Sequence, residues 1–364
     1  MAVKKWGAAL LAIACLGAVL YLWLQPPEPP RLTPIDEDAV TAIDETGDLL
    51  AADTYQVFSI NSKNGQGTRI LQTAEPVSAI SYTPDYTVIT VYNSSDPKAF
   101  HGFYVRDKQS SGFVQYAVPQ MSPKLSYVSG DLLFVSGADK IAQKGGDMTK
   151  VGIYQLKEHR WVKEWLVPGG VEDVTGSGKD VYFVTSNNAE TSSNLYKADL
   201  QTGEWVQMIQ HARRYPLDQV ALDSNGDTYI GTSQRVKSEW SNKIYRFNPQ
   251  QVPYELTSSF VSNTKPYFFT MKALRGKMLI TRFDVSDKAA DIEKPLALLD
   301  LKTRKQAHLT WEHRPAAAAV SEDGFVVLGE DGMLAIVAPD AVERPTREFQ
   351  LPELTEGKRL AVKK

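Results

Sequence analysis

The chain has 364 residues, of which 43% are hydrophobic and 10% aromatic, a composition typical of a folded protein rather than a disordered one. The formal net charge is −3, from 40 basic and 43 acidic residues, which argues against general binding of nucleic acids. The single cysteine is Cys15, so the rest of the chain contains no disulfide framework and no cysteine-based metal site.

The amino-terminal segment predicts a transmembrane signal-anchor helix over residues 6–24. Trp6 to Leu24 carry no charged residue, and such a run is long enough to cross the hydrocarbon layer. Lys4 and Lys5 precede it, so the positive-inside rule keeps residues 1–5 in the cytoplasm. The remainder of the protein is then expected on the extracytoplasmic side of the cell membrane.

Two alternatives to this uncleaved anchor remain open. The first is a cleaved signal peptide, although the apolar run continues to Leu24 without a convincing small-residue cleavage site. The second is lipidation, since Ala12-Ile13-Ala14-Cys15 faintly resembles a lipobox, with Ala12 where leucine is usual. Residues 25–35 are proline-rich, at Pro26–Pro30, and predict a stiff linker before a folded domain over residues 36–364.

A unit of four short strands recurs along this domain. Its clearest copy runs from Val171 to Ile209. The turn residue before the second strand recurs as Gly47, Asp85, Gly130, Lys179, Gly226, Gly276 and Gly324. The third strand recurs as an apolar run with a polar end at 57–61, 103–107, 153–157, 195–199, 244–248 and 296–300; the seventh copy, Met333–Val337, is the least regular. One four-stranded sheet cannot bury both its faces, so seven such units predict an all-β, seven-bladed propeller of four-stranded antiparallel blades.

The repeats resemble the seven-bladed β-propeller superfamily over residues 36–350. Ala198–Trp205 is similar to the repeat of quinoprotein-type propellers, and Leu222–Tyr229 is similar to the strand turn of lactonase-like and NHL-repeat propellers. The resemblance lies in the repeat and not in an active-site signature. Each unit is expected to hold its own four strands, with Arg31–Ile35 on the outer edge of the last blade or Lys358–Lys364 as the candidates for closing the ring.

One stretch of the chain has the look of a calcium-binding loop. Asp223-Ser224-Asn225-Gly226-Asp227 has the oxygen ligands of a calcium loop, but Gln234 stands where an EF-hand has its bidentate glutamate. A hairpin turn between a first and a second strand explains this sequence without a metal. The five histidines lack zinc-site spacing, and no nucleophile elbow or phosphate-cradling glycine-rich loop is present. We therefore predict no cofactor, with calcium as the alternative.

Loop lengths predict that one face of the propeller is elaborated. The links between second and third strands are long in blades two to six, whereas the turns from first to second strand are short. Links between blades emerge on that same face, and they include Arg213, Arg214, His313 and Arg314. These side chains are expected near the mouth of the channel, where arginines would bind a carboxylate or a phosphate. Solvated salt bridges to neighbouring blades are the alternative.

A second candidate binding region is the predicted projecting loop Gly231–Lys243. Arg235, Lys237 and Trp240 combine charge with a flat apolar side chain, a combination found in protein-binding surfaces. The alternative is that Trp240 folds back and covers the edge of its blade.

The sequence thus favours a membrane-anchored, extracytoplasmic binding or scaffolding module of the cell envelope rather than an enzyme. The expected partner is an envelope protein, a glycan or a small anionic ligand. The resemblance to lactonase-like propellers implies the alternative function, a hydrolase with a divalent metal in the central channel.

Overall fold

The computed structural model describes residues 32–34, 47–93, 96, 99–110, 112–139, 148–187, 192–212, 217–236, 239–247, 256–262, 267–283, 294–351, 354 and 356–363. All regular elements in these residues are β-strands. No helix among them is long and apolar enough to cross a membrane, and the predicted span 6–24 lies outside the described residues.

The strands form seven antiparallel sheets. Blade one consists of β2 (Leu49–Ala52), β3 (Gln56–Ile60), β4 (Gly67–Gln72) and β29 (Arg359–Val362). Blade two consists of β5 (Val77–Tyr82), β6 (Tyr86–Val91), β7 (Gly102–Asp107) and β8 (Val114–Ala117), with β1 (Leu32–Pro34) as a fifth strand. Blade three consists of β9 (Met121–Ser129), β10 (Leu132–Asp139), β11 (Met148–Gln155) and β12 (Arg160–Pro168).

The other four blades repeat this meander. Blade four consists of β13 (Gly170–Ser177), β14 (Asp180–Asn187), β15 (Ser192–Asp199) and β16 (Trp205–Ala212). Blade five consists of β17 (Leu217–Leu222), β18 (Thr228–Val236), β19 (Glu239–Phe247) and β20 (Leu256–Ser262). Blade six consists of β21 (Tyr267–Leu274), β22 (Lys277–Phe283), β23 (Leu296–Asp300) and β24 (Gln306–Leu309). Blade seven consists of β25 (Pro315–Val320), β26 (Phe325–Gly329), β27 (Met333–Val337) and β28 (Arg347–Gln350).

The seven inner strands form a closed ring, because each contacts the next in the order β5, β9, β13, β17, β21, β25, β29 and back to β5. The predicted fold class, an all-β seven-bladed propeller of four-stranded antiparallel blades, is confirmed. Hydrogen bonds join neighbouring inner strands: the Ser78 hydroxyl donates to the Pro123 carbonyl over 2.9 Å, and the hydroxyls of Ser81 and Ser126 lie 3.0 Å apart.

Ring closure differs from the prediction that every unit holds its own four strands. Of the described strands, the first unit supplies β2, β3 and β4, and the tail strand β29 completes blade one as its innermost strand. Leu49 pairs with Val362 and Ala52 with Arg359. Of the two candidates for closing the ring, the tail Lys358–Lys364 is therefore the correct one. A closed ring leaves no unpaired inner edge at the seam.

The segment Arg31–Ile35 was predicted at the outer edge of the last blade, and this is wrong. Leu32 pairs with Tyr116 and Pro34 with Val114, so β1 extends the outer edge of blade two. Proline is tolerated here because an outermost strand needs ladder hydrogen bonds on one side only.

The core consists of apolar clusters between adjacent blades, as expected when both faces of every sheet are covered. The seam between blades three and four is typical: Phe183 stacks on Tyr196 with ring centroids 5.1 Å apart and lies 5.2 Å from Phe134. All three side chains are essentially inaccessible to solvent. Each such aromatic buries a large apolar area, so the blades are held together mainly by hydrophobic packing.

The structure explains why a polar residue recurs at the end of the third strand. The Asp199 carboxylate accepts hydrogen bonds from the backbone amides of Gln201 and Thr202, and the Asp300 carboxylate accepts them from Lys302 and Thr303. Asp107 accepts equivalent bonds from the two amides at 109 and 110. These side chains cap the turns between third and fourth strands, which explains why this position repeats in the sequence.

Candidate functional site

The two faces of the ring differ in their links, but the difference is smaller than the loop lengths predicted. Throughout the described residues, first and second strands of blades two to seven are joined by tight turns, such as Gly130–Asp131 and Arg275–Gly276. We call the face that carries these turns the plain face. The opposite face, here the elaborated face, carries the links between blades and the links between second and third strands. The longest of the latter are 92–101 in blade two and 284–295 in blade six.

Three predicted long links are shorter than expected because the strands continue into them. Strands β14 and β15 extend to Asn187 and from Ser192, and in blade three β10 and β11 leave only 140–147 between them. The predicted projecting loop Gly231–Lys243 is also wrong as a loop. It is the end of a long β-hairpin, in which Arg235 pairs with Trp240 and Val236 with Glu239.

The predicted site residues are described only in part. Arg213, Arg214 and Lys237 lie outside the described residues, and for Arg235 and Trp240 the structure describes the backbone alone. The pairing of Arg235 with Trp240 puts them side by side on neighbouring strands at the elaborated end of blade five. Their joint contribution to a binding surface therefore stays a prediction.

His313 and Arg314 lie on the elaborated face and interact with the link between β26 and β27. The Arg314 Nε lies 3.3 Å from Glu330 Oε1, and the His313 Nδ1 lies 2.6 Å from Asp331 Oδ2. The two acidic residues belong to the same blade as the two basic ones. These are partly exposed pairs within one blade, whereas the alternative interpretation had salt bridges to neighbouring blades. Such exposed pairs contribute little to stability.

The central channel widens into a cavity of about 490 Å³ at its plain-face end. All seven inner strands line it, through residues near their carboxyl-terminal ends. Its volume lies in the range of small-molecule sites. The polar groups in its wall include Lys272, Asp223, Glu322 and Lys363. Sequence reasoning did not identify this set because each strand contributes only one or two of its members.

Asp173 is a carboxylate on the inner strand β13. Its two oxygens accept hydrogen bonds from the backbone amides of Val174 at 2.9 Å and Val220 at 3.0 Å. Burial raises the pKa of Asp173, while the positive charge of Lys272 and the two amides oppose this shift. Asp173 therefore links blades four and five, and it places a carboxyl group of altered acidity beside the channel.

Arg359 is a second group that sequence reasoning missed. It begins β29, and its Nε donates a hydrogen bond to the Ser78 carbonyl of blade two over 2.6 Å. The side chain stays accessible to solvent, yet the surrounding protein desolvates the guanidinium and lowers its pKa. Because Arg359 lies where an inner strand begins, it is on the elaborated-face side of the channel. The signal that would have revealed it is the pairing of the tail with blade one.

The calcium-like sequence at Asp223 forms a hairpin turn between β17 and β18, as predicted. The Asp223 carboxylate accepts bonds from the Ser224 amide at 2.8 Å and the Gly276 amide at 3.3 Å. Gly226 has a φ of 80°, which glycine adopts at low cost. Asp227 pairs with Arg246 at 2.7 Å. Among the described residues, no group of three or more His, Cys, Asp or Glu side chains is arranged to hold a metal ion.

Comparisons with known proteins identify a fold and no family. No family model matches the sequence, and no curated protein matches it. A functionally unknown protein from Desulfotomaculum acetoxidans has a TM-score of 0.62 at 8% identity, with 87% of this chain and 99% of that chain covered. Hydrazine synthase from Kuenenia stuttgartiensis has a TM-score of 0.56 at 14% identity, with 74% and 79% covered.

The β-propeller domain of the Trilobed protease from Pyrococcus furiosus has a TM-score of 0.56 at 14% identity, with 90% of this chain and 97% of that chain covered. It is described as having an open velcro topology, whereas here β29 pairs with β2 and closes the ring. At these identities the similarity concerns the fold alone. What the structure and the comparisons establish together is that this chain is a seven-bladed β-propeller.

Proposed function

We propose that this protein is a membrane-anchored, extracytoplasmic β-propeller that acts as a binding or scaffolding module of the cell envelope through its elaborated face. The observation that carries the proposal is the asymmetry of the ring. Only short turns join first to second strands on the plain face in blades two to seven, whereas the elaborated face carries the second-to-third links 92–101 and 284–295 and the end of the long hairpin β18–β19. The longest third-to-fourth link of the plain face is 338–346, shorter than either of those two links. Loops that a rigid scaffold holds in place bind partners more often than strands do.

The ring itself supports a scaffolding role. The tail strand β29 closes it, and aromatic clusters such as Phe134, Phe183 and Tyr196 fill the seams between blades. A closed, densely packed ring can present loops without rearranging, and this lowers the entropic cost of binding.

The anchor is argued from the sequence alone. The uncharged run Trp6–Leu24 follows Lys4 and Lys5, so the propeller is placed outside the membrane. Protease shaving of intact cells tests this part of the proposal. We expect a tag after Lys364 to disappear while a tag before Met1 remains protected. Protection of the carboxyl-terminal tag, with loss only after lysis, would contradict the proposed topology.

The chemistry of the partner is inferred from the predicted surface residues. Arg235, Lys237 and Trp240 offer charge and an aromatic anchor, and Arg213, Arg214 and Arg314 offer guanidinium groups for anions. This set fits an envelope protein, a glycan or a small anionic ligand.

The double variant Arg235→Ala, Trp240→Ala tests the surface. Truncation of a true anchor typically costs about 2 kcal/mol or more of binding free energy. Cross-linking in intact cells should therefore capture the partner at least tenfold less efficiently, while the melting temperature stays almost unchanged. A matched control is Asn225→Ala, Lys302→Ala, two exposed residues in turns of the plain face. Equal capture by both double variants would overturn the assignment of the face.

A hydrolase with a divalent ion in the channel remains the second candidate function. It is argued from the similarity of Leu222–Tyr229 to the strand turn of lactonase-like propellers. The carboxylates nearest the channel in that region, Asp173 and Asp223, accept backbone hydrogen bonds, and a metal would have to compete with these. Metal analysis of the purified protein separates the candidates. A stoichiometric ion that survives dialysis would favour the hydrolase, since oxygen-ligand sites of catalytic propellers hold such ions.

A further inference from the structure

A small side pocket lies between blades one and two on the plain face, away from the proposed binding surface. Its volume is about 140 Å³. It adjoins the central cavity, since Tyr82, Thr83 and Lys363 line both. The pocket is thus a recess at the plain-face mouth of the channel.

Arg106 is the unusual feature of this pocket. It lies on β7 opposite Thr87, is 9% exposed and lines the recess. Its Nε is fully buried and has no hydrogen-bond partner among the described residues. The guanidinium carbon lies 5.8 Å from the centroid of the Phe113 ring. This cation–π contact stabilises the charge, but the ring does not accept the N–H groups that lie in the plane of the guanidinium. A buried charge with an unused donor is costly. Because this Nε is closed to solvent, an anion in the recess would be bound through the terminal N–H groups of Arg106.

The remaining charges make the recess electropositive. Lys108 and Lys363 also line it, and Asp85 is the one carboxylate among the described residues of its wall. Lys108 Nζ lies 3.1 Å from Asp85 Oδ1, so this pair largely neutralises itself. Asp107 is turned away, because its carboxylate accepts hydrogen bonds from its own turn. The charges of Arg106 and Lys363 are left to act together on the recess.

We infer that this recess is an oxyanion site that binds a carboxylate or phosphate group, with Arg106 as the main donor and Lys363 as the second cation. Guanidinium groups match both kinds of oxyanion through paired N–H donors. One water occupies roughly 30 Å³ of liquid, so the recess accommodates one such group with its hydration and not a larger ligand. The rest of a ligand molecule would extend into the adjoining cavity.

The site also connects ligand binding to closure of the ring. Lys363 directly follows β29, and its backbone amide donates to the Asp48 carbonyl over 2.9 Å. An anion held by Lys363 and Arg106 therefore joins the closing strand to blade two. The complete site exists only when the tail is docked, so a bound anion stabilises the closed ring by mass action.

The test uses the full-length protein in mild detergent. Thermal unfolding is followed while sodium phosphate or sodium acetate replaces sodium chloride at constant ionic strength, and calorimetric titration with each anion gives its affinity. We expect a saturable rise in melting temperature and measurable binding of at least one of the two anions. Preference for phosphate identifies a phosphate-bearing ligand, and preference for acetate identifies a carboxylate.

Arg106→Met should weaken anion binding at least tenfold and abolish the saturable rise. In chloride alone the same variant should melt no lower than the wild type, because it removes a buried charge that lacks an acceptor. Lys363→Gln, at an exposed side chain, should weaken binding without unfolding the protein, and it carries the test if Arg106→Met does not fold. Lys302→Gln on blade six removes the same charge at a distant exposed position and should leave binding unchanged.

Phosphate and sulfate also stabilise proteins generally by exclusion from the surface, so the difference between variants is the deciding observation. An anion response that is unsaturable, or equal in the wild type, Lys363→Gln and Lys302→Gln, would overturn the site. A fall in the melting temperature of Arg106→Met in chloride, together with unchanged anion affinity, would make Arg106 a structural residue.

Discussion

A disulfide between β2 and the closing strand β29 of blade one tests ring closure quantitatively. Ala51 lies directly opposite Leu360. Because the Lys363 amide bonds to the Asp48 carbonyl, the alternation of an antiparallel ladder makes Ala51 and Leu360 a non-hydrogen-bonded pair, the closer kind. Both side chains belong to the cluster between blades seven and one. Their Cα separation therefore suits a disulfide without movement of the backbone.

The magnitude follows from the length of the loop. A bond between positions 51 and 360 closes almost the whole propeller, and the chain-entropy relation gives about 5–6 kcal/mol of stabilisation as an upper value. Truncation of Leu360 costs roughly 1–2 kcal/mol of packing, since the side chain is only half-buried. This loss is common to the oxidised and reduced forms and cancels when the two are compared.

The assay combines thiol counting with urea unfolding of Ala51→Cys, Leu360→Cys in a Cys15→Ser background. We expect spontaneous oxidation and a higher unfolding midpoint in the oxidised form than in the reduced form. The control pair is Ala51→Cys, Ala361→Cys, because Ala361 packs toward blade two on the other side of the sheet. Failure of the first pair to oxidise, or equal oxidation of the control, would refute closure by β29.

Two further predictions concern the core and the channel. Phe183→Ala should lower the free energy of unfolding by about 3–5 kcal/mol, because the ring is fully buried between Phe134 and Tyr196. The control Val342→Ala, at a 71% exposed position, should change this free energy little. Equal effects of the two variants in urea unfolding would contradict the described seam. Asp173 has a pKa raised by burial, so the folded state keeps a proton that the unfolded chain has released. Its contribution to stability therefore falls as pH rises from the unfolded pKa of about 3.9 through the raised folded pKa. Asp173→Asn should remove this decline, and identical pH profiles of wild type and variant would show that the group is not perturbed.

The repeat could be predicted from sequence because two local signals recur together. The turn before each second strand and the polar cap after each third strand, as at Asp199 and Asp300, are fixed by contacts within one hairpin. Because these contacts are short-range, the same residue types recur in the sequence at a nearly constant spacing. Seven copies of this pattern are sufficient to predict the number of blades and the antiparallel order of their strands.

Closure and the elaborated hairpins were harder because their determinants are not local. The pairing of Ala52 with Arg359 joins distant parts of the chain. No short turn connects the four-residue strand β29 to β2, so the sequence does not indicate which strand β29 pairs with. The sequence predicts a loop at the end of the hairpin β18–β19 because Gln234, Arg235, Lys237 and Ser238 show no apolar alternation. Strands that extend beyond the core lack the pattern by which buried strands are recognised.

The channel groups could not be assembled from sequence for a related reason. Arg106, Asp173 and Arg359 belong to three different blades. Asp173 and Arg359 are on inner strands of the ring, whereas Arg106, on the third strand β7, lines the recess beside the channel. Each alone has the sequence context of an ordinary strand residue. The desolvation of Asp173 and Arg359 and the unpaired Nε of Arg106 become visible only when the neighbouring blade is in place.

The measurement that tests the central claim most directly is photo-cross-linking from both faces of the ring in intact cells. A photoreactive amino acid is introduced at Tyr55 or Asp331, in links of the elaborated face, and at Asn225 or Lys302, in turns of the plain face; all four side chains are exposed. A module that binds through its elaborated face should give a discrete cross-linked partner from the first two positions and none from the second two. Discrete partners from the plain-face positions alone, or no partner from any position, would contradict the account.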